Sequence, residues 1–242
     1  MAIIEESYIV RANDIEESGK ITNRGILSFL ENVACKHSDI AGYGCMDIPT
    51  TYLSWVLLHW KLEVLKRASY GEKVIVKTWA RCAHKYFTLR DFEMYNEKGT
   101  LLCRASSKWS LINAETASIA RITDDILSKY EIEEKSVFHE EDIAKLKEPE
   151  LSSAPNFSFS VLRRDIDFNH HMHNLYYLDY ACEALPKQIY EEEEKNHLEI
   201  MFKTGAKLGD VVNCYYTNSE NADFIVMKND ENKHLNAIIK LY

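Results

Sequence analysis

The chain repeats itself. Asp14-Ile15 and Asn23 lie nine residues apart, and Asp165-Ile166 and Asn174 reproduce that spacing 151 positions later. A helical pattern follows each: Ile26, Leu27 and Leu30 after the first, Leu175, Leu178, Ala181 and Cys182 after the second. Further on, SYGEKVIV (69–76) resembles KLGDVVNC (207–214), a turn that launches a strand. Order, spacing and element type agree, so the chain reads as two copies of one helix-plus-antiparallel-sheet unit. Two such copies are expected to pack as the subunits of a homodimer do, and 242 residues suffice for two small domains.

In the first copy, TNRGILSFLENVACKHSDIA (22–41) places Ile26, Leu27, Leu30, Val33, Ala34, His37 and Ala41 at helical spacing. GYG (42–44) stops the helix. Alternation predicts strands over 54–65, 71–82, 85–95 and 100–113, and in the first of these Val56, Leu58, Trp60, Leu62 and Val64 share one parity. NEKG (96–99) is a hairpin turn. One helix followed by an antiparallel meander is the expectation. Residues 131–155 are charged and carry two of the four prolines, so they read as a linker with room for a short helix. The second copy ends in a hairpin over 224–242. The division expected is an N-terminal domain over 1–130, the linker, and a C-terminal domain over 156–242.

The net charge of −9 argues against a general nucleic-acid binder, though not against a local basic patch. The longest apolar stretch, WVLLHW (55–60), is far short of the ~20 residues a membrane span needs. MAIIEESYIV has acids where a signal peptide has positive charge. No membrane insertion and a cytoplasmic location are therefore expected. Six cysteines without a CxxC pair read as reduced, mostly buried thiols.

The chemistry concentrates in DIDFNHHMHN (165–174), with two aspartates, two asparagines and three histidines in ten positions. Asp165, Asp167 and Asn169 match the start of an EF-hand calcium loop, but His170 and Tyr176 stand where that loop needs Gly and Glu. His170, His171 and His173 lack the spacing of a zinc site. Two readings remain. On an extended loop Asp167, Asn169 and His171 would share one face, a set suited to attack by water on a carbonyl: imidazole as proton acceptor, carboxylate to orient it, amide to meet an oxyanion. Alternatively, these residues cap a helix and line a solvated turn. The first copy has Glu16, Ser18 and Lys20 at the matching positions, as expected for one active site in a duplicated scaffold.

The loop DIDFNHHMHNLYYLDYACE (165–183) resembles the D-x-D-x-N-x-H-x-N-N-x-x-Y helix start of the acyl-acyl-carrier-protein (acyl-ACP) thioesterase family of plant plastids and bacteria. SWVLLHWKLEV (54–64), the stretch 70–116 and ARITDDI (120–126) resemble that family's tryptophan-rich strands in order. The resemblance implies an α+β fold of two tandem hotdog domains, each a long helix wrapped by an antiparallel sheet. It implies hydrolysis of the thioester that joins a fatty acyl chain to the phosphopantetheine arm of acyl carrier protein, without metal or cofactor. Asp167, Asn169 and His171 fall on three of the family's catalytic positions. An apolar tunnel is expected from Leu27, Leu30, Val33, Leu58, Trp60, Phe87 and Leu89, with Leu30 and Trp60 chosen as acyl-chain contacts. The Arg163-Arg164 pair is the expected contact for the acidic carrier protein, with Lys66, Arg67, Lys203 and Lys207 as further candidates. Two departures stand out. His173 replaces the family's second Asn. The family's catalytic Glu aligns with Gly205, and Glu199, of the same strand parity, is roughly 20 Å away along the strand. Other readings are an acyl-CoA thioesterase of the hotdog superfamily and, because of Gly205, a non-catalytic acyl-chain binder. The doubled chain could pair further as a homodimer.

Overall fold

In the computed structural model, which describes residues 2–192, 195–219 and 221–242, the apolar stripe over 22–41 becomes helix α1, Asn23–Ala41. Thr22 caps it by accepting the Gly25 N–H, one of the donors a helix start leaves without a partner. Gly42, at φ 78°, ends it in the left-handed region that favours glycine. Every residue of the expected stripe is buried.

The chain divides into two compact units, Met1–Ile143 and Ala144–Tyr242. In the first, α1 is joined by the short helices α2, Ile48–Thr51, and α3, Asp124–Tyr130. Its strands are β1 Ile3–Ile9, β2 Leu53–Val64, β3 Lys73–Ala83, β4 Thr88–Asn96 and β5 Leu101–Asn113. They pair antiparallel in the order β1-β3-β4-β5-β2. The second unit has β6 Phe157–Ser160, α4 Asn174–Ala184, α5 Lys187–Glu192, β7 His197–Phe202, β8 Val211–Ser219, β9 Ala222–Asn229 and β10 Leu235–Leu241. Its order is β6-β8-β9-β10-β7, again antiparallel. In both units the strand before the long helix lies at one end of the order, the strand after the helix lies at the other, and a three-stranded meander runs between. Each unit is thus a helix laid on an antiparallel sheet, the α+β hotdog arrangement.

The first unit departs from a simple meander. β2 pairs with β5, not with β3. The cause lies in residues 65–72, which leave β2 and dock on the loop before α1: the Ile21 N–H donates to the Ala68 carbonyl and the Tyr70 N–H to that of Gly19. The chain then returns as β3 beside β1. Within β2 the expected parity also breaks. Leu57 and His59 are consecutive partners of β5, leaving Leu58 as the extra residue of a bulge. Trp60, Leu62 and Val64 are buried, but Val56 and Leu58 are only half-buried, and Leu57 is buried instead.

Residues 131–155 form no helix and lie against the sheets. Trp79 Nε1–H donates to the Lys135 carbonyl at 2.8 Å, and the Val137 N–H to Asp91 Oδ2 at 2.9 Å. Arg90, one residue before Asp91, reaches His37 of α1. Neighbouring strand residues face opposite sides, so residues 131–143 cover the face of the sheet that α1 does not. Leu146 and Leu151 likewise pack on Met201, Phe224, Val226 and Ile238 of the second unit.

Candidate active site

The turn Arg163–Asp165 opens the loop of the second unit. Asp165 is fully buried; its Oδ2 accepts the Leu162 N–H at 2.8 Å and the Tyr180 hydroxyl at 2.9 Å, and its carbonyl accepts the His173 N–H at 2.8 Å. Ile166 bridges Met172, and the Asp167 N–H donates to the His171 carbonyl at 2.8 Å. Residues 165–173 are therefore a closed turn and not the extended stretch that alternation suggested. His173 ends it as the cap of α4, its Nδ1 accepting the Leu175 N–H at 3.4 Å.

The first unit builds the same turn bond for bond. The Asp14 carboxylate accepts the Arg11 N–H at 2.9 Å, its carbonyl accepts the Thr22 N–H at 2.9 Å, Ile15 bridges Ile21, and the Glu16 N–H donates to the Lys20 carbonyl at 3.0 Å. At the tip, Gly19 at φ 73° matches His170 at φ 61°, a conformation that costs a non-glycine residue roughly 1–2 kcal/mol. The chemistry differs. In the first unit Ser18 donates to Glu16 at 2.8 Å and the Lys20 ammonium reaches Ser69 Oγ at 2.9 Å; that ammonium has no lone pair to offer. In the second unit His171 Nδ1 lies 2.8 Å from the Asn169 carbonyl oxygen. A carbonyl can only accept, so Nδ1 carries a hydrogen, and in the neutral imidazole the lone pair is on Nε2.

Asp167 Oδ1 accepts the Asn169 N–H at 2.8 Å and the His171 N–H at 3.3 Å. The contact with the imidazole expected of Asp167 is made by the Asn169 carbonyl, and the carboxylate acts on the ring through the backbone it holds. The turn thus brings Asp167, Asn169 and His171 together.

Gly205 stands against the loop from the other side: a Cβ placed on it would lie 2.7 Å from His171 Cδ2. Other carboxylates of the second unit are placed as follows. Asp165 is committed as above, and Glu199 accepts the Tyr242 hydroxyl at 3.2 Å. Asp179 and Glu183 line a surface cleft with Phe157, Arg164, Tyr176 and Tyr180. Arg163 and Arg164 are both exposed beside the loop, with Arg164 Nε 3.5 Å from Asp165 Oδ1. Leu30 and Trp60 are fully buried in the first unit, the indole tilted against Phe92 with ring centroids 5.1 Å apart. Arg67 spends its donors inside that unit, on the Ile21 carbonyl and Asn23 Oδ1.

Among the described residues no group of three or more His, Cys, Asp or Glu side chains could hold a metal. Cys103 and Cys214 are buried, whereas Cys35 and Cys45 are exposed. Burial pushes the thiols of Cys103, Cys182 and Cys214 up to about 12, so none of these three is a thiolate nucleophile near neutral pH.

Tyr177, the last residue of the family motif and given no role in the sequence analysis, supports the site from below. It is buried on α4, and its hydroxyl oxygen accepts the Ala206 N–H at 2.9 Å; burial pushes the phenol up to about 12. Tyr177→Phe leaves that buried amide without its acceptor, and the urea midpoint is expected to fall by the equivalent of about 1–3 kcal/mol.

Models of the acyl-ACP thioesterase N-terminal and C-terminal domains match residues 2–130 and 146–240. The chain is 27% identical over 239 residues to an oleoyl-acyl carrier protein thioesterase 2, chloroplastic, of Arabidopsis thaliana, covering 93% of this chain and 65% of that protein. It is 24% identical over 241 residues to an oleoyl-acyl carrier protein thioesterase, chloroplastic, of Coriandrum sativum, covering 93% and 65%. The chain thus spans just under two thirds of the length of these curated relatives. In fold it is similar to the crystal structure of an acyl-ACP thioesterase from Bacteroides thetaiotaomicron, with TM-score 0.86 and 21% identity over 99% of this chain and 97% of that one. The 12:0-ACP thioesterase from Umbellularia californica gives TM-score 0.86 with 17% identity, over 100% and 96% of the two chains.

Proposed function

The chain belongs to the acyl-ACP thioesterase family, and on that premise we propose that it hydrolyses fatty acyl-ACP to free fatty acid and carrier protein. The observation that carries the reading is the His171 tautomer: Nδ1–H donates to the Asn169 carbonyl, and Nε2 is the basic atom. Water attacks the thioester carbonyl carbon as Nε2 takes its proton. The Asn169 amide donates to the oxyanion of the tetrahedral intermediate. The intermediate collapses, the C–S bond breaks, and the imidazolium returns the proton to the phosphopantetheine thiolate. Asp167 holds the turn closed by accepting the Asn169 and His171 N–H groups.

Arg163 with Arg164 receives the acidic carrier protein. The carrier protein is proposed as the partner, with no nucleic acid and no membrane insertion; no described helix is long and apolar enough to cross a membrane. A cytoplasmic location is part of the same reading, although the plant relatives are chloroplastic by name.

The test compares acyl-ACP with the acyl-CoA of the same chain, in the wild type and in the double variant Arg163→Glu, Arg164→Glu. The variant's KM for acyl-ACP is expected to rise about tenfold or more at low salt and to lose most of its salt dependence, with acyl-CoA turnover little changed. An unchanged KM for acyl-ACP refutes the arginine assignment. Faster hydrolysis of acyl-CoA than of acyl-ACP refutes the carrier protein as substrate.

A further inference from the structure

We propose that Gly205 is a positioning residue for His171: the bare backbone at 205 is the seat of the imidazole, and it keeps Nδ1–H on the Asn169 carbonyl with Nε2 presented to substrate. The role rests on the thioesterase reading above, in which Nε2 is the base.

The contact is closer than any side chain permits. A Cβ at 205 would lie 2.7 Å from His171 Cδ2, 3.1 Å from Cγ and 3.3 Å from Cβ. Gly205 is not in the left-handed region, so its backbone conformation would accept any residue, and the ring alone excludes one. The first unit shows that the fold does not require glycine there. The Met172 N–H donates to the Ala206 carbonyl as the Ile21 N–H donates to that of Ala68, which makes Arg67 the counterpart of Gly205. Arg67 carries a long side chain at that place and turns it back onto the Ile21 carbonyl and Asn23. Glycine in the second unit therefore answers to the imidazole, where the first unit has Lys20.

The seat does not yield. The Ala206 N–H is fixed on Tyr177 and the Ala206 carbonyl on Met172, and the Thr204 carbonyl accepts Asn236 Nδ2–H at 2.8 Å. Tyr177 and Asn236 are both buried. A methyl group added at 205 must displace the ring and draw Nδ1 off the Asn169 carbonyl. A misplacement on the order of 1 Å costs about 10²-fold in rate.

The experiment uses the full chain as wild type, Gly205→Ala and Gly205→Glu. kcat and KM are measured on acyl-ACP, and the His171 tautomer is read from long-range ¹H–¹⁵N correlations of the imidazole. The wild type is expected to show Nδ1 protonated and Nε2 bare. Gly205→Ala is expected to lower kcat by about 10- to 100-fold, with KM within about twofold and the tautomer signature lost. Gly205→Glu is expected to be no faster than Gly205→Ala, because its carboxylate arrives only by unseating the ring. An Nε2–H tautomer in the wild type overturns the proposal, whatever the activities. So does an unchanged kcat in Gly205→Ala, or a Gly205→Glu enzyme faster than wild type, which would make position 205 a vacated acid site. Should the wild type release no fatty acid, the functional reading fails while the wild-type tautomer still decides the seat.

Discussion

His171→Ala is expected to lower fatty acid release from acyl-ACP by about 10²- to 10⁴-fold, the usual contribution of a positioned base. Asp167 Oδ1 is occupied by two backbone amides, and His173 Nδ1 by the cap of α4. The substitution removes the Nδ1 bond to the Asn169 carbonyl but keeps the two that the backbone N–H and carbonyl of residue 171 make. The melting temperature is therefore expected to stay near that of the wild type and KM to change little, which marks the loss as one of transition-state stabilisation. Turnover within tenfold of wild type would remove His171 from the reaction.

Asn169→Ala is the second large effect, about 10²- to 10³-fold in kcat, the cost of deleting one oxyanion donor. This substitution separates two duties of one residue. The carbonyl that holds His171 Nδ1 belongs to the backbone and survives, as does the N–H that donates to Asp167. Only the side-chain amide is lost. A pH profile of the same shape at a lower plateau is the expected result, because the base and its tautomer are unchanged. A profile of altered shape would assign the amide to the imidazole rather than to the oxyanion.

Much of the framework was legible because it is written locally. The stripe from Ile26 to Ala41 has one period and one face, and α1 buries all of it. The repeated Asp and Asn spacing marks two turns whose hydrogen bonds coincide. β1 was not legible: only Ile4 is buried among its seven residues, so the strand carries almost no hydrophobic pattern and is held by pairing with β3. The bulge at Leu57–His59 defeated the parity of β2, since one extra residue turns every later side chain over.

The candidate site was legible in its residues and not in its geometry. Asp167, Asn169 and His171 could be named from their spacing, but not the division of labour among them. A side-chain contact between Asp167 and His171 was the natural expectation, whereas the tautomer is set by a main-chain carbonyl that no sequence pattern reports. Tyr177 closes the quoted motif but was given no role, because an aromatic residue on the buried face of a helix reads as core. The contact of Gly205 with His171 joins residues far apart in sequence. Its visible signals were the alignment of Gly205 with the family's catalytic Glu and the likeness of 69–76 to 207–214, which places Gly205 opposite Arg67.

The duplicated scaffold with a single reactive turn is tested most directly by incubating the intact chain with acyl-ACPs of several chain lengths and measuring free fatty acid against time. The account predicts many equivalents of fatty acid per protein, with the rate depending on chain length and lost in His171→Ala. Acyl-ACP bound stoichiometrically with no fatty acid released at any chain length would contradict it and make the protein an acyl-chain binder.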